Sequence, residues 1–207
     1  MPEIILPAAA VLALLYWAIW CYRGASWPKS AVKTGSVLLL AATGGPWLLT
    51  LALILCALGD FLLSREGDAP FMAGVGAFAA GHLAYVALFL THAGPPDAPG
   101  WLALPLTLAL VVLGLVMARI LWPRAGDLRI PVMLYIPIIL SMGIAALQLP
   151  FTGLTALALP AALLFIASDL ALSMEMFVLS EGRLRRFAPF FVWPSYWGAQ
   201  ALFTQAF

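Results

Sequence analysis

The chain has 207 residues, 64% of them hydrophobic and 9% charged, with a net charge of +1 and a mean hydropathy of +1.05. That composition excludes a soluble globular domain, and a near-zero charge with basic residues only in short clusters gives no footing for nucleic acid. It predicts a polytopic membrane protein: an all-α bundle of about eight transmembrane helices forming one domain over residues 1–207.

At the N-terminus Met1-Pro2-Glu3 leads straight into apolar residues without a basic n-region, so the first segment is expected to be retained rather than cleaved. Apolar runs bounded by charge, Pro or Gly then predict spans near 4–21, 30–43, 46–64, 70–91, 101–121, 130–148, 152–174 and 187–206. Residues 30–64 also admit one overlong kinked helix, and charge decides against it. The ten basic residues (Arg23, Lys29, Lys33, Arg65, Arg119, Arg124, Arg129, Arg183, Arg185 and Arg186) lie in or beside the first, third, fifth and seventh loops. Only the division at Thr43-Gly44-Gly45-Pro46 puts all of them on one side of the membrane. Both termini are therefore expected outside the cytoplasm, in a bacterial inner membrane.

Two acids stand inside apolar helices. Asp60 lies in Cys56-Ala57-Leu58-Gly59-Asp60-Phe61-Leu62-Leu63-Ser64, and Asp169 follows Ser168 in a second apolar segment more than a hundred residues later. A carboxylate in hydrocarbon costs roughly 2.5 kcal/mol or more, so each must face a partner or a wet cavity. The third and seventh spans run in the same direction, which places both acids at nearly one level in the cytoplasmic half of the bilayer. Lys33 and Tyr135, a few residues into oppositely directed helices, fall in the same layer.

Along the fourth span, Phe71, Gly74, Phe78, His82 and Tyr85 share an arc of about 80°, beside a small-residue strip of Ala73, Ala77 and Gly81 suited to close helix packing. His82 is placed either to line a pocket or to bond a neighbouring helix. In the last span Tyr196 and Gln200 lie one turn apart, flanked by Trp193 and Trp197, as pocket groups or as interhelical links. Cys21 and Cys56 have no metal-ligand spacing and read as small core residues. The basic run Glu181 to Arg186 is explained by topology, with lipid phosphate binding as the alternative. The segment Gly94 to Gly100, including Asp97, reads as a stiff outer turn, and Gly59-Asp60 with Ser168-Asp169 gives at most a faint trace of an internal repeat.

These motifs together resemble the YhhN family of membrane proteins. The resemblance rests on Gly59-Asp60 with its leucine pair, Phe71-x-x-Gly74-x-x-x-Phe78-x-x-x-His82-x-x-Tyr85, Leu164-Phe165-x-x-Ser168-Asp169 and Tyr196-x-x-x-Gln200, and covers about residues 30–207. Ala161, where a glycine is expected, and Trp197, where a second tyrosine is common, depart from the pattern without removing an ionisable group. The resemblance implies a lysoplasmalogenase, which hydrolyses the vinyl ether of lysoplasmalogens drawn from the bilayer, with no cofactor and no metal. It implies Asp60 and Asp169 as catalytic residues, and Lys33, His82, Tyr85, Tyr135, Ser168, Tyr196 and Gln200 as substrate-binding ones.

Vinyl-ether hydrolysis needs an acid to protonate carbon and an anion to stabilise the oxocarbenium ion and activate water. Two buried carboxyls of unequal protonation supply both, as in paired-carboxylate glycoside hydrolysis. The competing readings are a purely structural aspartate pair and a proton-coupled transporter or lipid-binding protein. An intramembrane aspartyl protease is weaker, because its Gly-x-Gly-Asp element reads Ala57-Leu58-Gly59-Asp60 here. A metal hydrolase lacks ligands, since His82 and His92 are the only two histidines and His92 lies at the outer boundary.

Overall fold

The fold is taken from a computed structural model, which describes residues 2–94 and 100–207; the outer turn around Asp97 lies outside the described residues. Eight α-helices are present among them and no strand: α1 (Pro2–Leu15), α2 (Trp27–Ala41), α3 (Trp47–Leu63), α4 (Asp68–Thr91), α5 (Gly100–Leu121), α6 (Arg129–Ala146), α7 (Ala158–Phe177) and α8 (Arg183–Ala206). The protein is an all-α bundle, as the apolar runs predict.

The disputed break between α2 and α3 is real. Gly44 and Gly45 have φ of 96° and 119°, a region open to glycine and strained for other residues, and the chain reverses there before Pro46 opens α3. At the other end of α2 the helix starts three residues before the expected position: the Ser26 hydroxyl accepts from the Lys29 amide at 3.4 Å, and a proline follows in the first turn. This start brings Lys29 and Lys33 onto one helix, a turn apart.

Neighbouring helices pack in the circuit α1, α2, α3, α4, α6, α7, α8, which closes where α8 meets α2 and the π-helical turn Tyr16–Trp20 that follows α1. α5 stands outside this circuit, against α6. Proline in α8 is accommodated by a partner: Pro194 has no N–H for the Phe190 carbonyl, which instead accepts the Trp17 indole N–H at 3.1 Å. The Trp193 indole donates to the Ala13 carbonyl at 2.9 Å, a second tie between α8 and α1.

Contacts mark the two ends of the bundle. At one end the Arg65 guanidinium donates to the Ser26 carbonyl at 3.2 Å, Ser64 donates to Ser30 at 2.6 Å, and Tyr22 stacks on Phe190. At the other, the Gly94 amide donates to the Gln148 carbonyl, and Phe207 packs against Phe89 and His92. The basic loops gather at the first end.

Among the described residues four helical stretches are long and apolar enough to cross a membrane: Asp68–Thr91, Trp101–Leu121, Gly126–Ala146 and Gly153–Phe177. Ile4–Trp20 and Trp47–Leu63 are apolar but shorter. α2 is only 15 residues long and α8 carries three arginines in its first turn, so neither is a long apolar run, and the expectation of eight spans is not met by helix length and hydropathy. Large apolar side chains such as Ile54, Leu83, Leu108, Val112 and Leu134 point outward, a surface that only lipid covers favourably. Exposed tryptophans lie at both ends: Trp27 and Trp122 at the basic end, Trp47 and Trp101 at the other. Along α5 the Trp101-to-Trp122 rise is about 32 Å, matching a hydrocarbon core of about 30 Å between aromatic belts. The protein is an integral membrane protein.

Candidate active site

Inside the helix circuit lies a cavity of about 380 Å³, within the usual range for small-ligand pockets. Both aspartates line it, together with Tyr16, Lys33, Phe78, Tyr135 and Tyr196.

Asp60 reaches the cavity because Gly59 precedes it. A Cβ at Gly59 would stand 2.5 Å from the Phe78 ring, so only glycine lets α4 lie this close to α3 and put Phe78 in the wall. Gly74 meets Leu63 and Gly81 meets Cys56 in the same way, so the small residues of α4 face α3. The Asp60 carboxylate is 1% exposed; Lys33 Nζ lies 2.7 Å from Oδ1, and the Tyr196 hydroxyl donates to Oδ2 at 2.7 Å. Lys33 is itself flanked by the rings of Trp193 and Tyr16, at 5.7 and 6.0 Å from their centroids. The π-helical turn after α1 carries Tyr16 into this wall.

Asp169 has a different set of partners. Its side chain is 14% exposed, the Tyr135 hydroxyl donates to Oδ2 at 2.5 Å, and His82 Nε2 stands 3.9 Å from the same oxygen, beyond hydrogen-bond length. His82 Nδ1 lies 2.7 Å from the Phe78 carbonyl, which only accepts, so Nδ1 bears a proton, and Nε2, without a hydrogen-bond partner, turns toward Asp169. Phe165 and Tyr135 hold the imidazole edge-on, with centroids at 4.5 and 5.6 Å. No ammonium or guanidinium pairs with Asp169 among the described residues.

The other expected binding residues divide. Ser168 lines the cavity but donates its hydroxyl to the Val192 carbonyl at 3.0 Å, tying α7 to α8. His82 is fully buried behind Asp169 and is not in the cavity wall. Tyr85 and Gln200 are also outside the wall; the Tyr85 hydroxyl donates to Gln200 Oε1, a link between α4 and α8 deeper in the bundle. Trp197 buries an indole N–H with no partner, and Ala161 packs wholly in the core. The wall also holds Lys29 and Glu175, which the motif reading passed over. Their signal was available: they are the charged residues nearest the basic-loop ends of the helices bearing Lys33 and Asp169.

Among the described residues no three His, Cys, Asp or Glu side chains converge in a metal-binding arrangement. The arrangement can hold an amphipathic ligand, present it with two carboxyls of unlike surroundings, and keep bulk water from most of the wall.

The structure is a membrane bundle whose interior cavity is walled by two carboxyls, one bound to a lysine and one facing a histidine. The chain belongs to the YhhN family, whose model matches residues 3–207, essentially its whole length. A search of curated proteins and of solved structures finds no match.

Proposed function

We propose that the protein is a lysoplasmalogenase-type hydrolase: it adds water across the vinyl-ether bond of a lysoplasmenyl phospholipid, releasing a fatty aldehyde and a glycerophospho-head-group product. The observation that carries this reading is the asymmetry of the two carboxyls in one cavity. Asp60 is held by Lys33 and Tyr196, which favour its charged form, whereas Asp169 faces His82 Nε2 and pairs with no lysine or arginine among the described residues. In this reading His82 is neutral, its Nε2 lone pair opposes the carboxylate in a low-dielectric interior, and a proton on Asp169 removes that repulsion.

In this reading Asp169 is the acid. Its proton passes to the vinyl carbon β to the ether oxygen, and the π electrons that form the new C–H bond leave an oxocarbenium ion at the ether carbon. The Asp169 carboxylate so formed and Asp60 stabilise that cation, and a carboxylate takes the proton of the water that adds to it. The hemiacetal then collapses: its hydroxyl proton is lost, the C–O bond to glycerol breaks, the glycerol oxygen is protonated, and Asp169 ends protonated as it began. Tyr135 and His82 orient Asp169; Tyr85, Gln200 and Ser168 fix the helices that carry these groups. No metal and no redox cofactor enter this sequence.

The long apolar chain lies toward the bilayer, and the basic loops face the cytoplasm of a bacterial inner membrane with both termini outside. Cysteine placed at Arg124 is then shielded from impermeant reagents in intact cells, and cysteine at Asp97 is labelled. The reaction is tested by incubating purified protein with a lysoplasmenyl lipid, its ester analogue and its saturated-ether analogue while following aldehyde release. Only the first is expected to react; ester cleavage, or no reaction with any, overturns the proposal.

A further inference from the structure

The cavity that holds the aspartates continues to the basic end of the bundle, where Lys29 of α2 and Glu175 of α7 stand in its wall, both half-buried. Opposite charges this near the same opening ordinarily pair. Here neither forms an ion pair among the described residues: Lys29 Nζ donates to the Arg23 carbonyl, and Glu175 has no side-chain hydrogen bond. Lys29 keeps two N–H donors and Glu175 its full acceptor capacity. A second hollow of about 620 Å³ adjoins the cavity, shares Glu175 and Pro189 with it, and is lined also by Glu181, Arg185 and Arg186 and by the stacked pair Tyr22 and Phe190, whose ring centroids are 5.7 Å apart.

We propose, resting on the vinyl-ether reading above, that Lys29 and Glu175 are the headgroup subsite of the lysolipid. Lys29 takes the phosphate diester, and Glu175, backed by the Tyr22 and Phe190 rings, takes the cationic amine of a zwitterionic head. A lysine and a glutamate in one wall, neither in an ion pair among the described residues, match a ligand that carries both signs. The geometry also fits the length of the substrate. Lys29 is one turn from Lys33, and Glu175 lies about 9 Å along α7 from Asp169, so a glycerol backbone spans the distance from vinyl ether to phosphate.

The test compares three 1-alkenyl substrates: one with phosphoethanolamine, one with phosphate alone, and one 1-alkenylglycerol without phosphate. In E175Q the ratio of kcat/KM for phosphoethanolamine over phosphate alone is expected to fall about tenfold. In K29Q the ratio for phosphate-bearing lipids over 1-alkenylglycerol is expected to fall about tenfold. Equal losses on all three substrates, or unchanged ratios, overturn the subsite even where hydrolysis proceeds. Binding of the saturated 1-alkyl phosphoethanolamine lysolipid, which cannot react, separates the two proposals. If the wild type binds it about tenfold more tightly than E175Q and K29Q but cleaves no vinyl ether, the subsite stands and the reaction falls. Inorganic phosphate should compete for that site far less well than glycerophosphoethanolamine; equal competition identifies a plain anion site and overturns the zwitterion assignment.

Discussion

Lys33 on α2 and Asp60 on α3 form an ion pair of 2.7 Å, and the Asp60 carboxylate is almost wholly buried. A charge in that position is tolerated because its partner comes with it. Removing only one partner leaves the other uncompensated in a medium that cannot solvate it, at a cost of about 3 to 5 kcal/mol. Lys33→Met is therefore expected to lower the melting temperature in detergent sharply, and Asp60→Asn to do so as well. The double variant should recover most of the loss, a coupling that a double-mutant cycle measures directly. Additive losses would show that the pair does not act as a unit.

Asp169 is predicted to behave in the opposite way. It has Tyr135 as donor but no cation, so Asp169→Asn leaves no charge stranded and should keep its melting temperature near wild type. Turnover of lysoplasmenyl lipid is expected to fall by a factor of about 10² to 10⁴, the usual contribution of a general acid. Tyr135→Phe should retain the fold and lose less. A folded Asp169→Asn protein with full activity would remove Asp169 from the chemistry.

How much of this was legible in the sequence depends on the kind of information each residue carries. Gly44-Gly45-Pro46 marked the α2–α3 break because its backbone requirement is local, and the run lengths marked the helices because the bilayer sets a thickness. The level of Asp60 and Asp169 followed from counting along helices of known direction. Rotation about the helix axis did not follow: Tyr85, His82 and Gln200 share faces with cavity residues, yet stand behind the wall because partners on α7 and α8 decide which side faces in. α8 was expected to begin at 187, since Arg183, Arg185 and Arg186 cannot enter hydrocarbon. It begins at Arg183 because arginine is a good helix former wherever the helix has left the bilayer. Lys29 was read only as one of the basic residues beside the loops and Glu175 was not singled out, and only the cavity shows that they share one wall.

The α3–α4 contact gives a prediction about packing alone. Gly59→Ala puts a methyl group 2.5 Å from the Phe78 ring and should destabilise the bundle by about 1 to 3 kcal/mol. Gly76→Ala, on the same helix as Phe78 but with nothing within 4 Å of the new Cβ, should be neutral or slightly stabilising. Thermal unfolding of the two variants in one detergent makes the comparison. Similar shifts in both would mean that α3 and α4 are not in the close contact described.

The remaining prediction follows from the proton going to carbon. In deuterated water the aldehyde released from a vinyl-ether lipid should carry one deuterium on the carbon next to the carbonyl, delivered by Asp169. Proton transfer to carbon is also expected to give a solvent isotope effect above one when chemistry limits turnover. The aldehyde must be trapped at once, because such hydrogens exchange on standing, and a control aldehyde incubated alongside measures that background. Ester or amide cleavage places no label, since water attacks a carbonyl and no carbon is protonated; oxidation of the ether carbon places none either. Asp60→Asn protein with residual turnover should still deposit the deuterium, because the acid is the other carboxyl, whereas Asp169→Asn should fail before any label forms. Aldehyde released by wild type with label only at the control level would remove Asp169 from the role of carbon acid, whatever its place in the fold.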